Sequence, residues 1–134
     1  LRIQLLAQHF FLIGQKNVPH INKLQDISNI MPITDDLEGW VVTEGVPTMK
    51  TWILYTSHDK SMISGYWEAT PGSYHATYTD YEFVHIISGK LIITEDGGSP
   101  VALSAGDAFV VEPGFKGTWE IIEPIRKHFD IKLN

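Results

Sequence analysis

The sequence predicts an all-β domain, either a barrel or a sandwich. Two observations carry this expectation. From residue 50 onward, short runs rich in Val, Ile, Thr and aromatic residues recur at close intervals, each followed by a turn rich in Gly, Pro or Asp. No helical pattern of roughly 10–15 residues separates these runs, so a parallel sheet with crossover helices is not expected.

Residues 1–37 are expected to form an arm ahead of a barrel domain at 38–134. In the arm, Ile3, Leu6, Ala7, Phe10 and Ile13 share one helical face, while Leu1, Ile3 and Leu5 also alternate as a strand would. On either reading the arm can pack on the barrel or on a partner subunit. Residues 17–20 and 31–36 read as loops, with Pro19 and Pro32 as breakers. Gly39, Gly45 and Pro47 keep the next stretch irregular, apart from a short strand at 40–43.

Barrel strands are then expected at 51–56, 62–69, 73–78, 82–87, 90–95, 101–103, 108–111, 118–122 and 126–132. The turn signals between them are Pro71-Gly72, Ser88-Gly89, Asp96-Gly97-Gly98, Ala105-Gly106-Asp107 and Pro113-Gly114. The Asp107 carboxylate is placed to accept from a nearby backbone N–H. In the run 82–87, Glu82, Val84 and Ile86 share one face, and Phe83, His85 and Ile87 share the other. Both faces are largely apolar. This predicts a central strand whose outer face is covered by a second subunit, and hence a homodimer.

The chain has 134 residues and 43% hydrophobic residues, enough for one domain with a single core. Ten basic against sixteen acidic side chains give a formal charge of −6, which argues against nucleic acid and against an anionic membrane surface. The absence of cysteine excludes disulfides, thiolate metal sites and a cysteine nucleophile. No apolar run reaches the roughly 18–20 residues of a membrane span. The stretch 5–13, behind Arg2, is interrupted by Gln8 and His9 and is followed by no small-residue cleavage site, so it makes a weak secretory signal at best. A cytoplasmic location is the default expectation.

Two stretches carry a family resemblance. One runs from Gly65-Tyr66-Trp67-Glu68 through Pro71-Gly72 to Glu82 and Ser88-Gly89. The other runs from Ala105-Gly106-Asp107 through Pro113-Gly114 to Gly117-Thr118-Trp119-Glu120, and Arg126-Lys127-His128-Phe129 follows it. Together they resemble the two motifs of the small cupins grouped with the cupin domain of ureidoglycine aminohydrolase, over roughly residues 38–132. The resemblance implies a double-stranded β-helix, or jelly-roll, barrel of the RmlC-like kind with an N-terminal extension. It also implies metal-assisted C–N hydrolysis of a small nitrogen-containing metabolite. The enzyme that gives the group its name is similar to a two-cupin chain of about twice this length, so its substrate does not transfer directly.

The general cupin pattern places two histidines, a glutamate and a third histidine around a metal. Glu82 keeps the glutamate position. Counting forward from Gly72 puts Tyr78 and Asp80 at the first two histidine positions, and counting back from Glu82 puts His75 and Thr77 there. The third histidine position falls on Gly117. A three-histidine centre is therefore not expected. If a divalent Mn, Fe, Ni or Zn binds at all, Glu82 and His75 are its candidate ligands, with Asp80 or Tyr78 as further members of a substitute set.

Glu82 faces inward on an apolar strand, where a carboxylate needs a reason. It either meets a ligand, metal or proton-transfer partner, or makes a structural bond to a barrel tyrosine, tryptophan or lysine. His75, Tyr78, Trp67, Trp119 and Lys116 are the other pocket candidates. The tryptophans would supply an aromatic wall and Lys116 a charge at the barrel mouth. His85 reads as a packing or interface residue. Ser57, His58 and Asp59 are adjacent in sequence, which does not make a triad in space. Two readings remain, a small-molecule-binding barrel and a metal-assisted hydrolytic enzyme, and the first is preferred.

Overall fold

The computed structural model describes residues 19–134. The expected helical or strand face at Ile3, Leu6, Ala7, Phe10 and Ile13 lies outside the described residues. Eight strands follow a single 3-10 turn at Ile27–Asn29. They are β1 (Trp40–Glu44), β2 (Met49–Thr56), β3 (Met62–Ala69), β4 (Gly72–Thr77), β5 (Tyr81–Glu95), β6 (Pro100–Ser104), β7 (Ala108–Val111) and β8 (Lys116–Lys132).

All pairings are antiparallel. Hydrogen-bonded neighbours run β1-β4-β8-β3-β2, and β5 pairs with β6, β7 and β8. Two long strands organise this arrangement. The first half of β8 pairs with β4, and its second half pairs with β3. Likewise the first half of β5 pairs with β7 and its second half with β6, while β5 and β8 pair along most of their length. The curled sheet that results is the jelly-roll barrel predicted from the sequence.

Each long strand covers what the sequence reading divides into two. The expected turn at Ser88-Gly89 is an irregularity inside β5, and the gap between 122 and 126 lies inside β8. The physical reason is that the two breakers face each other. The β5–β8 register shifts between Ile86 and Leu91. Gly89 has φ +101, and a Cβ there would meet the Pro124 carbonyl oxygen at 2.2 Å. A glycine at positive φ opposite a proline without an N–H is the composition of a β-bulge as much as of a turn. The strands bend here and continue. The remaining turn signals hold: Gly98 N–H donates to Glu95 O at 2.8 Å, and Asp107 Oδ2 accepts from Ser104 N at 2.8 Å.

Period-two alternation decides which side chains enter the barrel. Along β5, Glu82, Val84, Ile86, Leu91 and Ile93 are buried. Along β8 the buried set is Trp119, Ile121, Ile125, Lys127, Phe129 and Ile131. Residues ahead of the barrel also enter it. Asp26 caps the 3-10 turn, Trp52 Nε1 donates to Ile30 O at 2.9 Å, Ile33 exchanges two backbone bonds with Thr51, and Leu37 joins the core. Among the described residues no helix is long and apolar enough to cross a membrane.

Candidate functional site

A cavity of about 280 Å³ opens inside the barrel. Its walls come from β2 (Thr51, Ile53), β3 (Ile63, Trp67), the β4–β5 connection (Tyr78 to Asp80), the start of β5 (Tyr81, Glu82) and β8 (Lys127, Phe129, Ile131). The segment before β1 adds Ile33 and Leu37, and β1 adds Trp40. The lining is mostly apolar, and three of its polar groups, Tyr78, Glu82 and Lys127, are bonded to one another.

Those polar groups form a chain. Lys127 Nζ donates to Glu82 Oε2 at 2.8 Å, and Tyr78 OH donates to Glu82 Oε1 at 2.6 Å. Strand geometry sets this up, because Glu82 on β5 and Lys127 on β8 both point inward from paired strands, and the β4–β5 connection brings Tyr78 back over them. The side chains of Lys127 and Glu82 are only 3% and 5% exposed. The ammonium also lies 4.5 Å from the Trp67 ring centroid and 4.7 Å from that of Trp119, within cation–π range. Burial pushes the Lys127 ammonium below the usual lysine range, and the Glu82 carboxylate opposes that shift without cancelling it. Burial, reinforced by the Glu82 charge and hydrogen bond, pushes the Tyr78 hydroxyl well above its usual value.

Around this chain stands an aromatic cluster. Trp40 meets Trp119 at a centroid distance of 5.0 Å and Trp67 at 5.6 Å, and Tyr78 stacks on Trp119 at an interplanar angle of 14°. One polar atom of the lining stands alone. Thr51 Oγ1 is buried and has no hydrogen-bond partner among the described residues.

The structure brings together Glu82, Tyr78 and Trp67 from the sequence-predicted residues. Trp119 lies behind the wall, against Trp40, Trp67 and Tyr78. His75 does not join them. Its neighbours Tyr74 and Ala76 point inward, so its own ring points outward, and its Nε2 contacts the Asp96 carboxylate at 2.9 Å. Lys116 is exposed at the start of β8 and is absent from the lining. Ser57 and Asp59 bond each other in the β2–β3 turn, a turn-stabilising contact. Among the cavity residues not singled out from the sequence are Lys127, Trp40 and Thr51. Only Lys127 had a signal. It alternates with Ile125, Phe129 and Ile131, which places it on the inward face of an apolar strand.

The donor set does not fit a cupin metal. No group of three or more His, Asp or Glu side chains that could hold an ion occurs among the described residues. Both Glu82 oxygens are already engaged, one by Lys127 Nζ and the other by Tyr78 OH. The third histidine position is closed as well. A Cβ on Gly117 would meet Thr94 O at 2.5 Å and the Phe115 ring at 2.6 Å. A histidine there would have no room.

Barrel, motifs and inward glutamate define a cupin. Residues 56–129, more than half of the chain, match the model of the EutQ-like cupin domain, and the chain belongs to that family. Solved structures agree on the fold. The chain is similar to the EutQ protein of Clostridium difficile, at 21% identity over 65% of this chain and 69% of that one, with a TM-score of 0.57. A putative ethanolamine utilization protein Q of Salmonella typhimurium LT2 is similar at 15% identity, covering 83% of this chain and 98% of that one, with a TM-score of 0.56. A protein of unknown function of the DUF861 family, from Pseudomonas syringae pv. tomato, is similar at 18% identity over 86% of this chain and 46% of that one, with a TM-score of 0.62. No curated protein matches the chain.

Proposed function

We propose that this cupin binds a small, uncharged organic molecule in the barrel without a metal ion. The observation that carries this reading is the occupied carboxylate. Where a cupin metal would need Glu82, the Lys127 ammonium already neutralises it at 2.8 Å. That pair is neutral as a unit, and the other charged groups of the lining, Glu38 and Asp80, are both acidic, so an anion gains nothing there. A neutral ligand meets aromatic walls and three orienting groups: Tyr78, the Glu82–Lys127 pair and the unpartnered Thr51 hydroxyl. Pockets are commonly built this way, from apolar walls with a few convergent polar groups. At about 280 Å³ the cavity lies near the lower end of the size range of small-molecule pockets.

Metal-assisted C–N hydrolysis of the ureidoglycine aminohydrolase kind finds no support in this donor set. The reading is tested by a thermal-shift screen of metal-stripped protein against neutral ketones, alcohols, amides and phenols. Stabilisation by a member of that panel, weakened about tenfold in affinity by Thr51→Val, supports it. Stabilisation that appears only on adding Mn, Fe, Ni or Zn contradicts it.

The same proposal includes a homodimer. Phe83 on β5 pairs with Val110 on β7, and both are exposed on the outer face together with Ile87. A second copy of this chain would bury that apolar strip.

A further inference from the structure

We propose that Lys127 is a covalent site, whose amine condenses with the carbonyl group of a small ketone or aldehyde to form an iminium inside the barrel. This inference rests on the reading of the cavity as a small-molecule site and gives that site a chemistry. Three observations carry it. First, the lysine lines an apolar cavity instead of reaching solvent, a placement that disfavours the charged ammonium and exposes a nucleophilic amine to a neutral carbonyl compound. Second, a proton acceptor stands within bonding distance of the amine: Glu82 Oε2, at 2.8 Å. Third, a phenol that burial keeps protonated, Tyr78, bonds the other oxygen of that carboxylate, completing a short relay of amine, carboxylate and hydroxyl. A purely structural ion pair needs neither a cavity beside it nor a second acid on the same carboxylate.

The step balances without an outside reagent. The Lys127 ammonium passes one proton to Glu82. The free amine lone pair forms a C–N bond to the carbonyl carbon, and the C=O π pair moves to oxygen. That oxygen takes the proton that the new C–N nitrogen releases, relayed through Glu82 and Tyr78. The resulting carbinolamine hydroxyl then takes the proton held by Glu82 and leaves as water, while the nitrogen lone pair closes the C=N bond. The product is an iminium on Lys127 opposite a Glu82 carboxylate, so the ion pair survives with its charge unchanged. The Trp67 and Trp119 rings against the ammonium would face the iminium cation in the same way.

The test uses the full chain, butanone as the probe and sodium cyanoborohydride to trap the iminium as a secondary amine. Peptide mapping then gives the alkylation rate of each lysine separately, with exposed Lys50 and Lys116 as internal standards. The expected result at neutral pH is that Lys127 is alkylated about tenfold or more faster than either standard, because the cavity holds the carbonyl compound against this amine and not against the exposed ones. The Lys127 rate should also level off at a lower pH than the standards. Both readings come from the unaltered protein, so they do not depend on a variant folding. Alkylation of Lys127 no faster than the standards, with butanone seen in the cavity by NMR, overturns the covalent proposal and leaves the binding reading standing. No alkylation together with no entry of butanone overturns both for carbonyl compounds.

Discussion

At the scale of single residues the site turns on a buried ion pair and one lonely hydroxyl. Removing one member of a buried pair leaves the other charge stranded, which costs about 3–5 kcal/mol, whereas replacing both with apolar groups is often neutral. Glu82→Met and Lys127→Met should therefore each lower stability by about that amount, and the double variant should recover most of it. Urea unfolding of the four proteins checks this, and additive losses would mean that the pair is not coupled. Thr51→Val removes a buried hydroxyl that has no partner among the described residues. It should raise stability by about 1 kcal/mol while weakening ligand binding, a combination typical of a group held for function.

Some of this was legible in the sequence. Period two placed Glu82 inward, and a buried carboxylate demands a partner. A barrel tyrosine or lysine was among the partners expected for it, but Lys127 itself was not picked out, because lysine is ordinarily a surface residue. Trp40 could not be read at all. Its inward orientation comes from the pairing of β1 with β4, a contact between segments far apart in the chain.

At the scale of elements, the strands themselves were visible from their composition, but the continuity of β5 and β8 was not. Ser88-Gly89 spells a turn locally, and only its position opposite Pro124 turns it into a bulge. Gly89→Ala should cost more than about 2 kcal/mol, since both the positive φ and the Pro124 carbonyl oppose a Cβ. A thermal melt reads this directly. Within the β2–β3 turn, Asp59 accepts bonds from the Ser61 hydroxyl and amide and from the Ser57 hydroxyl, which hold its carboxyl at about 2 against an ordinary 3.8. A carboxyl depressed in the folded state contributes stability that is present in full above the unfolded value and lost as pH falls through the folded one. The stability difference between the protein and Asp59→Asn should thus be constant above about pH 4 and vanish toward pH 2. A difference that persists at pH 2 would show that the turn does not depend on the charge.

At the scale of the whole molecule, β5 separates the two proposals. Its inner face carries Glu82 into the cavity, and its outer face exposes Phe83 and Ile87, the strip proposed to meet a second copy. Sedimentation of the protein should give the mass of a dimer, and Phe83→Asp should give that of a monomer while leaving ligand binding intact. A monomer in both would remove the dimer and spare the barrel site. The most direct test of the central claim is the NMR spectrum of the four tryptophan indole N–H groups during titration of metal-stripped protein with the neutral fragments that stabilise it. Trp40 and Trp67 line the cavity, and Trp52 faces away from it against Tyr66. If the barrel cavity is the binding site, the Trp40 and Trp67 signals move while Trp52 stays fixed. Movement of Trp52 alone, or of any indole only after a divalent metal is added, would contradict it.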